Sequence, residues 1–247
     1  VDDKYPQDYV ISDFARDRFR HQVYAKSLTS VYLPDETEFV TIDKFVMGDA
    51  ETPFVVCGST GIGKSALLAN WAQRHQNHHP EDIIISHYVT CAPAASDHVK
   101  MIHRIMLEIL DSIQHYDRSV LIALSDVQLL SPENQRQKIL DEFPVWIERL
   151  FEQKITNRFI LIIDGIDNIE DRDNALDFTW LPRTFPPGIR VLTSATDNAV
   201  HKNLTLKLLR KRKCPELLLE ALNIGQKKSF IVQYLQNTHG KKLSEYQ

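Results

Sequence analysis

The octet Gly58-Ser59-Thr60-Gly61-Ile62-Gly63-Lys64-Ser65 constrains this chain more than any other feature. It fits G-x-x-x-x-G-K-[ST], in which glycines let the backbone wrap an anion so that successive N–H groups point inward. An apolar run, Pro53–Cys57, precedes it, and a helical pattern of Ala66, Leu67, Leu68, Trp71 and Ala72 follows. Strand, glycine turn and helix N-terminus in that order select a phosphate-binding loop over a glycine turn with a surface lysine. Gly58, Ser59, Thr60, Gly61, Ile62, Gly63, Lys64, Ser65 and Ala66 then cradle the phosphates. Lys64 reaches the β- and γ-phosphates, and the Ser65 hydroxyl ligates Mg²⁺.

The rest of the chain repeats the same alternation. Further strands are expected at Ile83–Val89, Phe159–Ile163 and Ile189–Thr193, with a weaker one at Glu216–Leu219. Continuous apolar runs of this kind suit strands covered on both faces. Between them, Val99, Ile102, Ile105, Met106, Ile109 and Ile113 recur at helical steps behind an N-cap at Ser96 or Asp97. Ser131-Pro132 reads as a helix start, with Ile139, Phe143, Trp146 and Leu150 on one stripe and a kink or restart at Pro144. Tyr9 to Leu28 reads as a helix and Thr29 to Thr37 as a loop. The expected fold is a three-layer α/β P-loop domain with a mainly parallel five-stranded sheet.

Composition narrows the function classes. The 247 residues are 43% hydrophobic and 25% charged, as in an ordinary globular domain, and the formal net charge of −4 excludes nucleic-acid binding driven by whole-domain charge. No apolar run approaches the ~18–20 residues of a membrane helix. Cys57, Cys91 and Cys214 are too few and scattered for a disulfide framework or a four-ligand zinc site, so a reducing, cytoplasmic setting is expected. Opening on Val1 with a charged stretch, the chain reads as a segment of a longer one.

A phosphate loop needs an acidic partner on a neighbouring strand to hold the metal. Phe159-Ile160-Leu161-Ile162-Ile163-Asp164 provides it, because a carboxylate ending a buried run is hard to explain as core. Past Gly165 and Ile166, Asp167 is placed to polarise an attacking water, or else to serve as a helix N-cap or turn residue. An extra strand and about two helices separate the loop from Asp164, which argues against the kinase and GTPase arrangement of adjacent motif strands. In the additional-strand class of P-loop proteins the sheet order is 5-1-4-3-2. The fourth strand then lies between the other two motif strands, and the hydroxyls of Thr193 and Ser194 at its tip would face the γ-phosphate, unless they simply end a strand. Neither N-K-x-D nor L-S-G-G-Q occurs, which makes ATP (or ADP) the expected nucleotide.

Taken together, the octet, the run closing on Asp164-Gly165-Ile166-Asp167, and Thr193-Ser194 resemble the NACHT domain of the STAND signalling ATPases. Finer features resemble the nephrocystin-type branch, whose members carry tetratricopeptide repeats after the NACHT module. They are Gly63 to Trp71, His87-Tyr88-Val89, Trp180-Leu181-Pro182 before Phe185-Pro186, and Tyr234-Leu235 with Gly240-Lys241-Lys242-Leu243. The resemblance implies an N-terminal helical extension over 1–31, a nucleotide-binding core over 32–222 and the start of a helical subdomain over 223–247. Many NACHT domains carry an arginine directly after the T-S pair, where this chain has Ala195.

The function expected is an ATP- and Mg²⁺-binding signalling switch with slow hydrolysis. Lys64 and Asp167 would act on the phosphate and water, and Ser65 and Asp164 would hold the metal. Partners would be proteins met through the rest of the chain, or a second copy, with no membrane and no nucleic acid. A nucleotide-binding scaffold without turnover and a small-molecule phosphotransferase are the rivals. The basic run at Lys207 and Arg210–Lys213 reads as a solvated helix end, His78-His79 as a polar turn and Cys57 as a small buried hydrophobe.

Overall fold

The computed structural model describes residues 12–30, 32, 36–115, 118–197 and 204–239. Five strands, β1 (Phe54–Gly58), β2 (Ile83–Tyr88), β3 (Phe159–Asp164), β4 (Ile189–Thr196) and β5 (Glu216–Leu218), form one sheet in the order β2-β3-β4-β1-β5. Every pairing is parallel. This is the expected strand order, read from the opposite edge.

Helices α1 (Asp13–Leu28) and α2 (Glu36–Met47) precede the sheet. A parallel pair needs a crossover: α3 (Lys64–His78) joins β1 to β2, and α4 (His98–Ser112), α5 (Arg118–Leu124) and α6 (Arg136–Glu152) join β2 to β3. Helix α7 (Leu204–Lys211) lies between β4 and β5, and α8 (Ile224–His239) follows, with Ile224, Ile231 and Tyr234 exposed. The period-2 alternation of the strands splits the core. Val56, Ile160, Ile162 and Leu192 pack with Phe39 and Ile42 of α2 and Leu67 and Trp71 of α3. Val55, Leu161, Ile163 and Val191 pack with Ile102, Ile109, Phe143 and Trp146 of the α4–α6 layer. Each side chain so buried contributes about 1.5–3 kcal/mol relative to exposure.

Several boundaries differ from those expected. Helix α6 starts at Arg136 rather than Ser131-Pro132, because the Asn134 and Gln135 amides turn back onto the Ser131 carbonyl and the Gln135 side chain accepts the Ser131 N–H, closing a separate turn. The helix runs through Pro144 without a restart. Strand β4 extends three residues past Thr193, since Ala195 and Thr196 pair with Cys57 and Gly58 of β1. Helix α2, absent from the sequence-based expectation, buries Phe39, Ile42, Phe45 and Val46. Helix α1 begins at Asp13 on an N-cap at Ser12, whose hydroxyl accepts the Ala15 N–H. Its expected start at Tyr9 lies outside the described residues, as does Gly240–Leu243.

Helix α1 is fastened across α3 and the free edge of β2. Asn70 of α3 donates to the Leu28 carbonyl, and His21 Nδ1 accepts the Tyr88 N–H at 3.1 Å. That hydrogen bond requires an unprotonated Nδ1. His87, 4.4 Å away ring to ring, is also fixed neutral: its Nε2 donates to the Ala95 carbonyl and its Nδ1 accepts from Arg104. Burial and the Arg104 guanidinium pull His21 down to about 3, and act on His87 in the same direction. A base with a depressed folded pKa has its full stabilising effect above the unfolded value of about 6.5 and loses it as pH falls, here down towards 3. Protonation of His21 is expected to cost about 2 kcal/mol of stability by pH 5, and His87 acts in the same direction. Burial pushes Glu108 upward, which has the opposite sign, so the comparison is made between variants. His21→Asn retains an acceptor for Tyr88 and does not titrate. Urea unfolding from pH 7.5 to 5 should show it losing about 2 kcal/mol less than wild type, and parallel profiles would refute the neutral-histidine seam.

Candidate nucleotide site

The C-terminal ends of β1, β3 and β4 meet at one edge of the sheet, and the residues singled out by the octet and the acidic run converge there. β1 turns at Gly58 into the loop, and α3 begins at Lys64. Gly61 and Gly63 have φ of +76° and +113°, values that L side chains rarely adopt, so the loop needs glycine at both positions. The first-turn amides of α3 have no partners within their own helix and face outward with the positive end of its dipole. Ser59, Thr60 and Gly61 are exposed; Ile62 through Ala66 are half-buried. The Lys64 ammonium lies back over this loop, donating to the carbonyls of Gly58 (2.9 Å) and Ser59 (3.0 Å). Burial draws its pKa down, against the pull of the Asp167 and Asp164 carboxylates, so all three charges share one locale.

Asp164 closes β3 and is only 2% exposed. The Ser194 hydroxyl donates to its Oδ1 at 2.6 Å, and the Ser65 side chain lies near enough to the same carboxyl group to favour its charged form. Burial raises the Asp164 pKa, while Ser194, Ser65 and Lys64 oppose that shift. Asp167 follows in a short 3₁₀ turn, and its Oδ2 accepts the Thr196 N–H at 3.0 Å, bracing the tip of β4.

Of the two hydroxyls on β4, only Ser194 joins this cluster. Alternation turns Thr193 to the other face, with Val191 and Ala195, where it is fully buried and its hydroxyl has no hydrogen-bond partner among the described residues. Arg190 lies at the opposite end of β4 and donates to the carbonyls of Ile189 and Gly48.

The donor set fits a small hard cation. The side chains of Ser65 and Asp164 present only oxygens and lie near one another, and Mg²⁺ is commonly held by one or two protein oxygens plus substrate phosphates and water. Among the described residues no group of three or more His, Cys, Asp or Glu could hold a metal, which leaves His78-His79 without further ligands. No helix of the described residues is long and apolar enough to cross a membrane.

One other constellation has the composition of a hydrolytic triad. Cys91 Sγ lies 3.3 Å from His21 Nδ1, and His21 Nε2 lies 3.8 Å from Asp17. The histidine nitrogen facing the sulfur already accepts the Tyr88 amide, and burial pushes the thiol up to about 11. Such a pair does not yield the thiolate that nucleophilic catalysis requires. Sequence reasoning could not have found the hydrogen bond from Ser194 to Asp164 or the one from Thr196 to Asp167, because alternation assigns a face and not a partner.

Comparison with known proteins places this geometry in a family. The chain is 27% identical to a TPR repeat-containing protein of Dictyostelium discoideum, covering all of this chain and 18% of that protein. It is 30% identical to nephrocystin-3 of Xenopus tropicalis over 72% of this chain and 12% of that one. It therefore spans less than a fifth of the length of these relatives. Among solved structures, that of the Aeropyrum pernix ORC1 protein in complex with DNA aligns with a TM-score of 0.56 at 12% identity, over 92% of this chain and 55% of that one, a likeness of fold. The NACHT domain model matches residues 52–238, from just before β1 into α8. With its phosphate loop, acidic β3 tip and five-stranded P-loop sheet, the chain belongs to the NACHT domain family of nucleotide-binding modules.

Proposed function

We propose that this chain is an ATP- and Mg²⁺-dependent switch that hydrolyses ATP slowly and whose nucleotide state governs the assembly of a larger, cytoplasmic multidomain protein. The observation that carries the reading is the meeting of Lys64, Ser65, Asp164 and Asp167 at the ends of β1 and β3. Lys64 binds the β- and γ-phosphates, and Ser65 and Asp164 hold Mg²⁺, which when bound offsets phosphate charge. Asp167 orients the attacking water. Within the segment, 1–31 acts as a helical extension, 32–222 as the nucleotide-binding core and 223–247 as the first part of a helical subdomain. Tetratricopeptide-repeat relatives support protein partners or self-association rather than nucleic acid.

Slow turnover follows from what the β4 tip lacks. Phosphoryl transfer commonly relies on an additional cation, often an arginine from another domain or subunit. Ala195 follows Ser194, and Arg190 is held at the far end of the strand. These two features also favour a scaffold without turnover as the second reading. Calorimetry should show ATP binding that strengthens with Mg²⁺ and exceeds GTP binding. Phosphate release without an acceptor should be slow, with specific activity rising across a dilution series as neighbouring copies lend a cation. Fast, concentration-independent turnover would point to a self-sufficient ATPase. Release only with a small acceptor would point to a phosphotransferase, and binding without release to the scaffold.

A further inference from the structure

We propose that Ser194 is a positioning residue for the metal site, acting through Asp164 rather than on the terminal phosphate. The inference rests on the nucleotide reading above and gives Ser194 a role different from phosphate contact. A serine hydroxyl carries one proton. Here the Gly165 N–H donates to Ser194 Oγ at 2.8 Å, and Ser194 Oγ donates to Asp164 Oδ1 at 2.6 Å. The incoming amide takes up one side of the oxygen and leaves the proton directed at the carboxylate. Ser194 is 1% exposed and Asp164 2% exposed, so both groups are shielded from bulk solvent.

The consequence concerns orientation. Asp164 ends its strand, next to Gly165 in a left-handed conformation, and without a clamp its carboxylate would be free to rotate at χ2. Holding Oδ1 from the β4 side leaves the remaining acceptor capacity for Ser65 and Lys64, on the phosphate-loop side. Alternation supports the assignment, because Leu192 packs in the same layer as the loop helix α3, and Ser194, two residues on, shares its face. To reach a phosphate Ser194 would have to release Asp164 and leave a buried carboxylate without that donor, at the cost of a charge-assisted hydrogen bond.

The test measures Mg²⁺ dependence in the whole chain with a fluorescent ATP analogue and, separately, the thermal shift produced by Mg²⁺ with the analogue. Ser194→Ala should leave Mg²⁺-free affinity within about twofold and raise the Mg²⁺ concentration for half-maximal binding about tenfold, the worth of one hydrogen bond to a charged group. Ser194→Cys, which nearly retains the buried volume but gives up the strong donor, should reproduce that shift, and Ser194→Thr should recover most of it. In an Asp164→Asn background, removing the hydroxyl should add nothing further. Equal losses with and without Mg²⁺, or an effect that persists beside Asp164→Asn, would overturn the positioning role and favour phosphate contact. If wild type bound the analogue but ignored Mg²⁺, the metal reading would fall and this inference with it. If wild type bound normally in Mg²⁺ and Ser194→Ala were unchanged, only this inference would fall.

Discussion

Lys64→Ala is expected to weaken ATP binding by about 10²–10⁴-fold, because two charge-assisted hydrogen bonds to phosphate, each worth about 1.5–3 kcal/mol, disappear together. The fold should survive. The Lys64 ammonium reaches the carbonyls of Gly58 and Ser59, on a loop whose Ser59 and Thr60 face solvent. Those carbonyls can turn to water, so the change in unfolding free energy should stay within about 1 kcal/mol. Burial already disfavours the charged form of this lysine, so its removal also relieves a desolvation cost. Titration calorimetry with ATP and Mg²⁺, run beside thermal unfolding, checks both halves. Wild-type affinity in the variant would end the phosphate-loop assignment, and a collapse in melting temperature would show that Lys64 braces the loop rather than serving a ligand.

The parts legible in the sequence were those where one residue pattern has one physical cause. Phe159–Asp164 reads as a strand because both faces are buried, and Asp164 stands out because a charge at the end of such a run needs a reason. The glycines of the octet are equally direct, since the positive φ at Gly61 and Gly63 is available cheaply only to glycine. Helix α2 was harder: Phe39, Ile42, Phe45 and Val46 have helical spacing, but the helix is short and carries β-branched Val40, Thr41 and Ile42. The end of β4 was misjudged for a different reason. Ser194, Ala195 and Thr196 look like a polar exit from the sheet, but pairing with β1 and the bonds to Asp164, Gly165 and Asp167 make it favourable to keep them in strand form. His21 could not be placed from sequence at all, since its partner, the Tyr88 amide, lies 67 residues away and belongs to a strand edge that helix α1 happens to cover.

Separating the two carboxylates is the second large effect. Asp164→Ala removes the carboxylate that lies beside Ser65, and should reduce the strengthening of ATP binding by Mg²⁺. Asp167→Asn should behave otherwise. The asparagine oxygen can still accept the Thr196 N–H, so the turn and the β4 tip keep their brace, while the negative charge and the capacity to take a proton are gone. Binding should therefore stay near wild type while single-turnover hydrolysis slows by the ~10²–10⁴-fold typical of losing a positioned base. Asp167→Ala adds a control, because it also removes the carboxylate that accepts the Thr196 N–H and so reports what the brace alone contributes. Measured together, the three variants distinguish the roles. Equal binding losses in Asp164→Ala and Asp167→Asn would contradict the division between metal and water. Unchanged turnover in Asp167→Asn with lowered stability in Asp167→Ala would make Asp167 a turn residue that holds β4, leaving the attacking water to be oriented by a group outside this chain.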